Sequence, residues 1–366
     1  MTKNNFFIKH LLDSYKFSSK TSKNLPFQES RHWQRFNNQF RKLEFDDLLK
    51  ELSNFRHKKL LSEGMDDALD RGLPDQFFKV IKEVDADLVL NNLSAINVGN
   101  SDRCIEFQGK FIDYGDLFHI YVFSLLKDFI FDQSNIRSIC EIGGGYGALA
   151  RIIASNIEVP YILIDLPETN LLSSYYLYEH NKLLNKKFLT HIDLKDNTLT
   201  ENDIQNSDFI IIPPNVAFDN DVEIDLFINS RSMMEMNKEV ITEYFKLIQE
   251  HISPSGYFLN INRYYKDTVG TGIRLIDYPY DNKWKIIDSR QVLFYDHIHG
   301  LITKRMSRAT DEITDHLKSL QKITQLHTPN RLFNMLRKNL RQIISLIFPR
   351  KIKAQIKKVL VEYIPE

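Results

Sequence analysis

The sequence predicts an α/β fold built on a mainly parallel sheet, and three observations predict it. Residues 139–147 read Ile-Cys-Glu-Ile-Gly-Gly-Gly-Tyr-Gly, an apolar strand with Glu141 near its end, followed by a glycine-rich turn. A second apolar strand, Tyr161 to Ile164, ends in another acid, Asp165. Further along, strand-length apolar runs alternate with helical stretches, the pattern of a sheet covered on both faces.

The glycine turn is the first element to justify. It carries Gly143, Gly144, Gly145 and Gly147, and a helix is expected from about Ala148. Glycine lets the backbone turn tightly and lets a ligand press against it. The helix start beyond it offers free N–H groups. Asp165, at the tip of the neighbouring strand, can accept two hydrogen bonds from a ribose diol. Gly143, Gly145, Tyr146, Asp165 and Leu166 are thus the candidate contacts to a nucleoside cofactor.

The same stretch fits an NAD fingerprint, with Gly143, Gly145 and Ala148 in register. Three features favour S-adenosylmethionine. Glu141 suits the ammonium of a methionine group but would repel a pyrophosphate. About 140 residues precede the motif, whereas dinucleotide domains often open with it. Finally, Trp284–Ser289 and Gly300–Lys304 read as two strands joined by a polar segment, like the antiparallel hairpin that closes class I methyltransferase sheets.

The remaining elements follow in order. Residues 1–110 read mostly as helices. Between Glu29 and Phe55, charged residues alternate with Trp33, Phe36, Phe40, Leu43 and Phe45 at close to helical spacing, either a packed core or a lid. Asp113 to Phe131 is a helix leading into the first strand, so it should border the cofactor pocket. Another helix is expected over 170–185. Two segments compete for the third strand, Phe188–Ile192 and Phe209–Ile212. The second runs into Pro213-Pro214, which cannot donate hydrogen bonds and suits an exposed sheet edge. Ile224–Ile228 is the fourth strand, residues 237–251 a helix, Pro254-Ser255-Gly256 a turn and Tyr257–Ile261 the fifth strand.

Composition narrows the function classes. The 366 residues hold 48 Lys plus Arg against 48 Asp plus Glu, so no global positive field draws the chain to nucleic acid. Hydrophobic residues make up 43%, enough for a large core. Two cysteines, Cys104 and Cys140, suggest no disulfide framework and fit a reducing cytoplasm. The chain opens without a long apolar run, so no export signal is expected. The tail, 307–366, reads as a basic amphipathic helix. It carries Arg331, Arg337, Lys338, Arg341, Arg350, Lys351, Lys353, Lys357 and Lys358, with Leu332, Leu336, Leu340, Ile343, Ile344 and Ile347 on its apolar side. Such a helix packs on the domain or on another subunit, or lies at an anionic membrane surface. Peripheral membrane contact and a homo-oligomer are therefore both open.

These residues resemble the bacterial sugar O-methyltransferase family, within the class I S-adenosylmethionine-dependent enzymes. The matches are Glu-Ile-Gly-Gly-Gly-Tyr-Gly at 141–147, Ile-Asp-Leu-Pro-Glu at 164–168 and Asp225-Leu-Phe-Ile-Asn-Ser-Arg-Ser-Met-Met-Glu-Met236. Asn260-Ile-Asn-Arg-Tyr-Tyr265, Asp277-Tyr-Pro-Tyr-Asp281 and Trp284 add to them. The likeness covers roughly 105–305. It implies a methyltransferase domain over 111–306, S-adenosylmethionine as cofactor and a carbohydrate hydroxyl as acceptor: a nucleotide sugar, a lipid-linked glycan or a polysaccharide.

In an open α/β sheet, ligands bind outside the carboxyl ends of the strands. After the fourth strand lie Asn229 and Ser230, candidates for the methionine portion of the cofactor, and Glu235, either a base or a partner of Arg231. After the fifth lie Asn262, Arg263 and Tyr264, which can bond sugar hydroxyls or cap the sheet. The closing hairpin places Asp296, His297 and His299 at the same edge, where an imidazole could remove a proton. The candidate catalytic residues are thus Glu235, His299 and His297. The acidic run Asp219, Asp221, Glu223 and Asp225 is a candidate metal cluster but reads more simply as a solvated loop, so no metal ligand is assigned and metal dependence stays open. Two alternatives stand beside a methyltransferase: an NAD-dependent sugar oxidoreductase, and a catalytically silent partner subunit of the same fold.

Overall fold

Apolar runs that are buried on both faces assemble the sheet. The computed structural model describes residues 3–21, 27, 29–42, 45–57, 73–182, 184–266 and 272–327. The strands of the main sheet are β1 (Ile139–Ile142), β2 (Tyr161–Ile164), β3 (Phe188–Thr190), β4 (Phe209–Ile212), β5 (Ile224–Ser230), β6 (Ile252–Arg263), β7 (Trp284–Gln291) and β8 (Ile298–Arg305). Their order is β7-β8-β6-β5-β1-β2-β4-β3. Neighbours from β6 to β3 are parallel, whereas β8 runs antiparallel to both β6 and β7. This is the Rossmann-like order of class I methyltransferases, with an antiparallel strand near one edge and β3 added at the other. Both candidates for the third strand are therefore strands. Phe209–Ile212 is interior, fully buried between β2 and β3, so the prolines after it close a central strand and not an edge.

Helices cover both faces. They are α1 (Lys3–Thr21), α2 (Arg31–Phe40), α3 (Phe45–Leu52), α4 (Leu73–Glu83), α5 (Ala86–Asn92), α6 (Tyr114–Leu126), α7 (Ala148–Ala154), α8 (Pro167–Asn181), α9 (Glu201–Gln205), α10 (Lys238–His251) and α11 (Glu312–Ser319). On one face, Leu11 of α1, Phe40 of α2, Leu48 of α3, Val80 of α4 and Val89 of α5 share a core with α6 to α8 and with Ile139, Leu163 and Leu259. On the other, Ile204, Phe245 and Ile313 pack on Cys140, Ile162, Phe227 and Phe258. Side-chain alternation sorts each strand's residues between these two cores.

Local chemistry sets the boundaries. Asp113 caps α6, accepting from the Asp116 N–H at 2.8 Å. The helix then widens into a π-turn over Lys127–Phe131. Pro167 opens α8, where its missing N–H costs nothing. The expected turn at Pro254-Ser255-Gly256 is a bulge inside the long strand β6, with Ser255 at φ 69°. The aromatic stripe from Trp33 is carried by two helices, α2 and α3; the side chains of Phe36, Leu43 and Phe45 lie outside the described residues. Beyond Leu320 the chain forms a separate unit, of which a short helix, Gln321–His327, is described. The basic and apolar positions expected from Arg331 to Lys358 lie outside the described residues.

Candidate active site

The parallel strands point their carboxyl ends at one edge, and the loops there build the site. Gly143 and Gly145 both have left-handed backbone, at φ 74° and 59°. Their reasons differ. A Cβ on Gly143 would lie 2.1 Å from Ser232 Oγ, so this glycine lets the loop after β5 close down on the turn. A Cβ on Gly145 would meet nothing within 4 Å, so this glycine faces open space, as a ligand cradle must.

Asp165 braces that cradle. Its Oδ2 accepts from the Gly145 N–H at 3.0 Å and its Oδ1 from the Leu166 N–H at 2.7 Å. The Thr169 hydroxyl bonds this carboxyl as well, which leaves acceptor capacity for a ribose hydroxyl. Burial pushes its carboxyl up to about 7, against the pull of the Leu166 and Gly145 N–H groups, and the Glu235 carboxylate pushes it the same way.

Glu141 departs from expectation. It is 2% exposed and lies behind the turn, where its Oε2 accepts from Tyr161 Oη at 2.7 Å. A Cβ on Gly144 would come 2.8 Å from that same oxygen. Strand alternation puts Glu141 on the face of Ile139, under the turn, so it supports the loop and does not face an ammonium. Burial raises its pKa to about 7.

Asn229 is corrected in the same way. It is fully buried. Its Nδ2 donates to Ile142 O at 2.8 Å and to Ser232 Oγ at 2.5 Å. Its Oδ1 accepts from the Met233 N–H at 3.2 Å and from Asn262 Nδ2 at 2.8 Å. Two donors and two acceptor positions are all used, so this amide ties β5 to β1 and has nothing left for a cofactor. Asn262 spends both its donors on Asn229 and Asn260, and its Oδ1 accepts from the Met234 N–H. The Tyr146 ring is also core, set edge-on to Tyr176 with the Arg56 guanidinium 5.2 Å from its centroid; only its backbone lies in the turn.

Ser230 ends β5 at the ligand edge. Its Oγ is buried with no hydrogen-bond partner, on the face of Leu226 and Ile228. A buried hydroxyl without a partner is unusual and marks room for a polar ligand group.

Glu235 sits in a short 3₁₀ turn after β5, and its Oε2 accepts from Trp33 Nε1 at 3.0 Å. Just past the end of α2, Arg41 Nε donates to Glu168 Oε1 at 2.7 Å, shortly after Asp165. Helix α2 and the residue after it thereby bridge the tips of β5 and β2. Arg231, the other expected partner of Glu235, turns instead toward Phe118 and Tyr295.

The two histidines separate. His297 is in the closing hairpin at the ligand edge, partly exposed, with Nδ1 3.1 Å from Asp296 Oδ1. His299 is 2% exposed and lies on the opposite sheet face, between Tyr264 Oη at 3.0 Å and Ser289 Oγ at 2.8 Å. Burial lowers its pKa to about 4. It is a buried structural imidazole, not a base poised near neutrality; alternation along β8 turned it inward. Asp225 lies at the amino end of β5, clamped by Arg137 at 2.9 Å, so the acidic run is remote from the site.

Ser232 and His119 escaped sequence reasoning. Ser232 was hidden because its role depends on the approach of two loops. His119 interrupts the apolar face of α6, and that interruption was the available signal. Burial and the Arg231 charge lower its pKa to about 3, so it is neutral.

No family model and no curated protein matches the chain. Solved structures do align with it over about half its length. A methyltransferase of Clostridium acetobutylicum, described as S-adenosylmethionine-dependent, has 10% identity and TM-score 0.36, covering 54% of this chain and 93% of its own. The N-methyltransferase NodS of Bradyrhizobium japonicum, solved with S-adenosyl-L-homocysteine, has 11% identity and TM-score 0.31, covering 50% and 85%. The mitomycin 7-O-methyltransferase MmcR has 13% identity and TM-score 0.32, covering 52% and 57%. At these scores the likeness bears on neither cofactor nor substrate, and the sheet order and site geometry stand by themselves.

Proposed function

We propose that the chain is an S-adenosylmethionine-dependent O-methyltransferase acting on a sugar hydroxyl of a glycan or its precursor. The observation that carries the cofactor is the Gly145 cradle: left-handed backbone, open space beyond its Cα and the Asp165 carboxylate one strand away. Ser230, with its unpartnered buried hydroxyl, fits the methionine end, and Leu166 fits beside the nucleoside. When bound, the cofactor supplies a methyl group activated on a sulfonium sulfur.

The chain's own residues then have three tasks. The first is alignment of the acceptor oxygen with that methyl, worth several kcal/mol as orientation. The second is exclusion of water, for which α2 is placed by its Trp33 and Arg41 bonds. The third is removal of the acceptor proton, for which Glu235 and His297 stand at the ligand edge. The sugar acceptor rests on the resemblance of the 225–236 stretch. Among the described residues no helix is long and apolar enough to cross a membrane.

Titration with S-adenosylhomocysteine and with NAD separates this reading from a sugar oxidoreductase. Mass spectrometry of the surface glycan from a deletion strain then tests the acceptor, through the loss of one methylene of mass. Cofactor binding with an unchanged glycan would favour a silent partner subunit.

A further inference from the structure

At the carboxyl ends of β5 and β6, two arginines have no acidic partner among the described residues. Arg231 has φ 67°, a left-handed conformation unfavourable for a side chain of its size. Its backbone N–H is tied to Ile261 O at 2.7 Å, which holds it there. Its guanidinium lies 4.9 Å from the Phe118 ring centroid and 5.3 Å from that of Tyr295. It spends one N–H on Tyr295 Oη, at 3.3 Å. Arg263 ends β6 on the face of Leu259 and Ile261, the face that also carries Ser230 on the adjacent strand. Its Nε is buried without a hydrogen-bond partner.

Among the described residues, no carboxylate pairs with Arg231 or Arg263. A buried guanidinium N–H without an acceptor costs free energy, and an arginine packed against the edge-to-face pair of Phe118 and Tyr295 has little freedom to turn its fork away. Both features are explained by a ligand that brings two negatively charged oxygens.

We propose that Arg231 and Arg263 form an acceptor subsite for an anionic sugar, one bearing a carboxylate or a phosphate. The proposal rests on the methyltransferase reading and narrows its substrate class. A planar carboxylate and a tetrahedral phosphate both match the guanidinium fork. The aromatic rings of Phe118 and Tyr295 hold the cation in place. The subsite lies on the hairpin side of Ser230, while Asp165 lies across the cradle on β2, so the anion would sit beyond the methionine end of the cofactor.

The test uses the full chain, loaded with S-adenosylhomocysteine and titrated with glucuronic acid, glucose 1-phosphate and neutral glucose. At least one anionic sugar should bind more tightly than glucose, and which one does separates carboxylate from phosphate. Arg263→Gln and Arg231→Lys should each weaken that binding roughly 10- to 100-fold, the scale of a lost charge-assisted bond. Affinity for S-adenosylhomocysteine should hold in both variants, which also reports that they are folded. Three results overturn the subsite: equal binding of all three sugars, no binding of either anion, or an equal loss of S-adenosylhomocysteine affinity. The last would mean that the arginines serve the cofactor's own carboxylate. If the wild type binds an anionic sugar but no S-adenosylhomocysteine, the subsite stands and the methyl-transfer reading falls.

Discussion

Trp33 and Glu235 stand 202 positions apart in sequence, yet the indole N–H donates to the carboxylate at 3.0 Å. This bond fastens α2 to the turn after β5, and we take α2 as a cover for the cofactor. Trp33→Phe keeps the ring area and removes the donor. Losing a hydrogen bond to a charged group should speed release of S-adenosylhomocysteine roughly 10-fold. Stopped-flow dissociation reads this directly. An unchanged release rate would detach α2 from any covering role.

Asp165→Ala should weaken S-adenosylhomocysteine binding by about 1.5–3 kcal/mol, through loss of a charge-assisted diol contact. The folded Asp165 carboxyl has its pKa raised from 3.8 to about 7. The ionised form is the better acceptor, so wild-type affinity should rise as pH passes through about 7, and this rise should vanish in Asp165→Asn. Folding carries the opposite sign. Between pH 4 and 7 the unfolded carboxyl ionises while the native one stays protonated, so this stability contribution falls as pH rises. Calorimetric titrations across that range check both slopes.

Gly145→Val should abolish cofactor binding while sparing much of the fold. Its side chain would enter open space, so no neighbour is displaced. The left-handed φ of 59° adds strain of about 1–2 kcal/mol. Circular dichroism with titration of the same sample decides the matter; a folded variant with normal affinity would mean that the cradle faces no ligand.

Glu235→Gln and His297→Asn address proton removal. The residue that acts as base should lose roughly 10²- to 10⁴-fold in turnover when changed, with cofactor affinity retained. Near-normal turnover in both variants would leave positioning alone as the source of catalysis.

His299 should report on stability instead. Its pKa is lowered from 6.5 to about 4 in the fold. As pH falls below 6.5 the unfolded chain takes up this proton first, so the stabilising contribution of neutral His299 is lost down to about pH 4. His299→Gln should flatten that part of the stability curve. An unchanged slope would show that the imidazole is not held neutral.

The sequence by itself determined the strands, the glycine turn, Asp165 and the closing hairpin. Each is written in local patterns: apolar runs of strand length, glycines at a turn, an acid at a strand tip. Tertiary structure decided what each side chain faces. Glu141, Asn229 and His299 have the right chemistry at the right edge, but strand alternation and loop closure buried all three as hydrogen-bonded supports. Phe209–Ile212 became interior because β3 paired outside it, a choice that no local pattern contains. The Trp33–Glu235 bond and the packing of Arg231 on Phe118 and Tyr295 arise only when segments distant in sequence converge. Such contacts depend on which strands become neighbours, which is settled by the burial of the whole sheet and by no single stretch of residues.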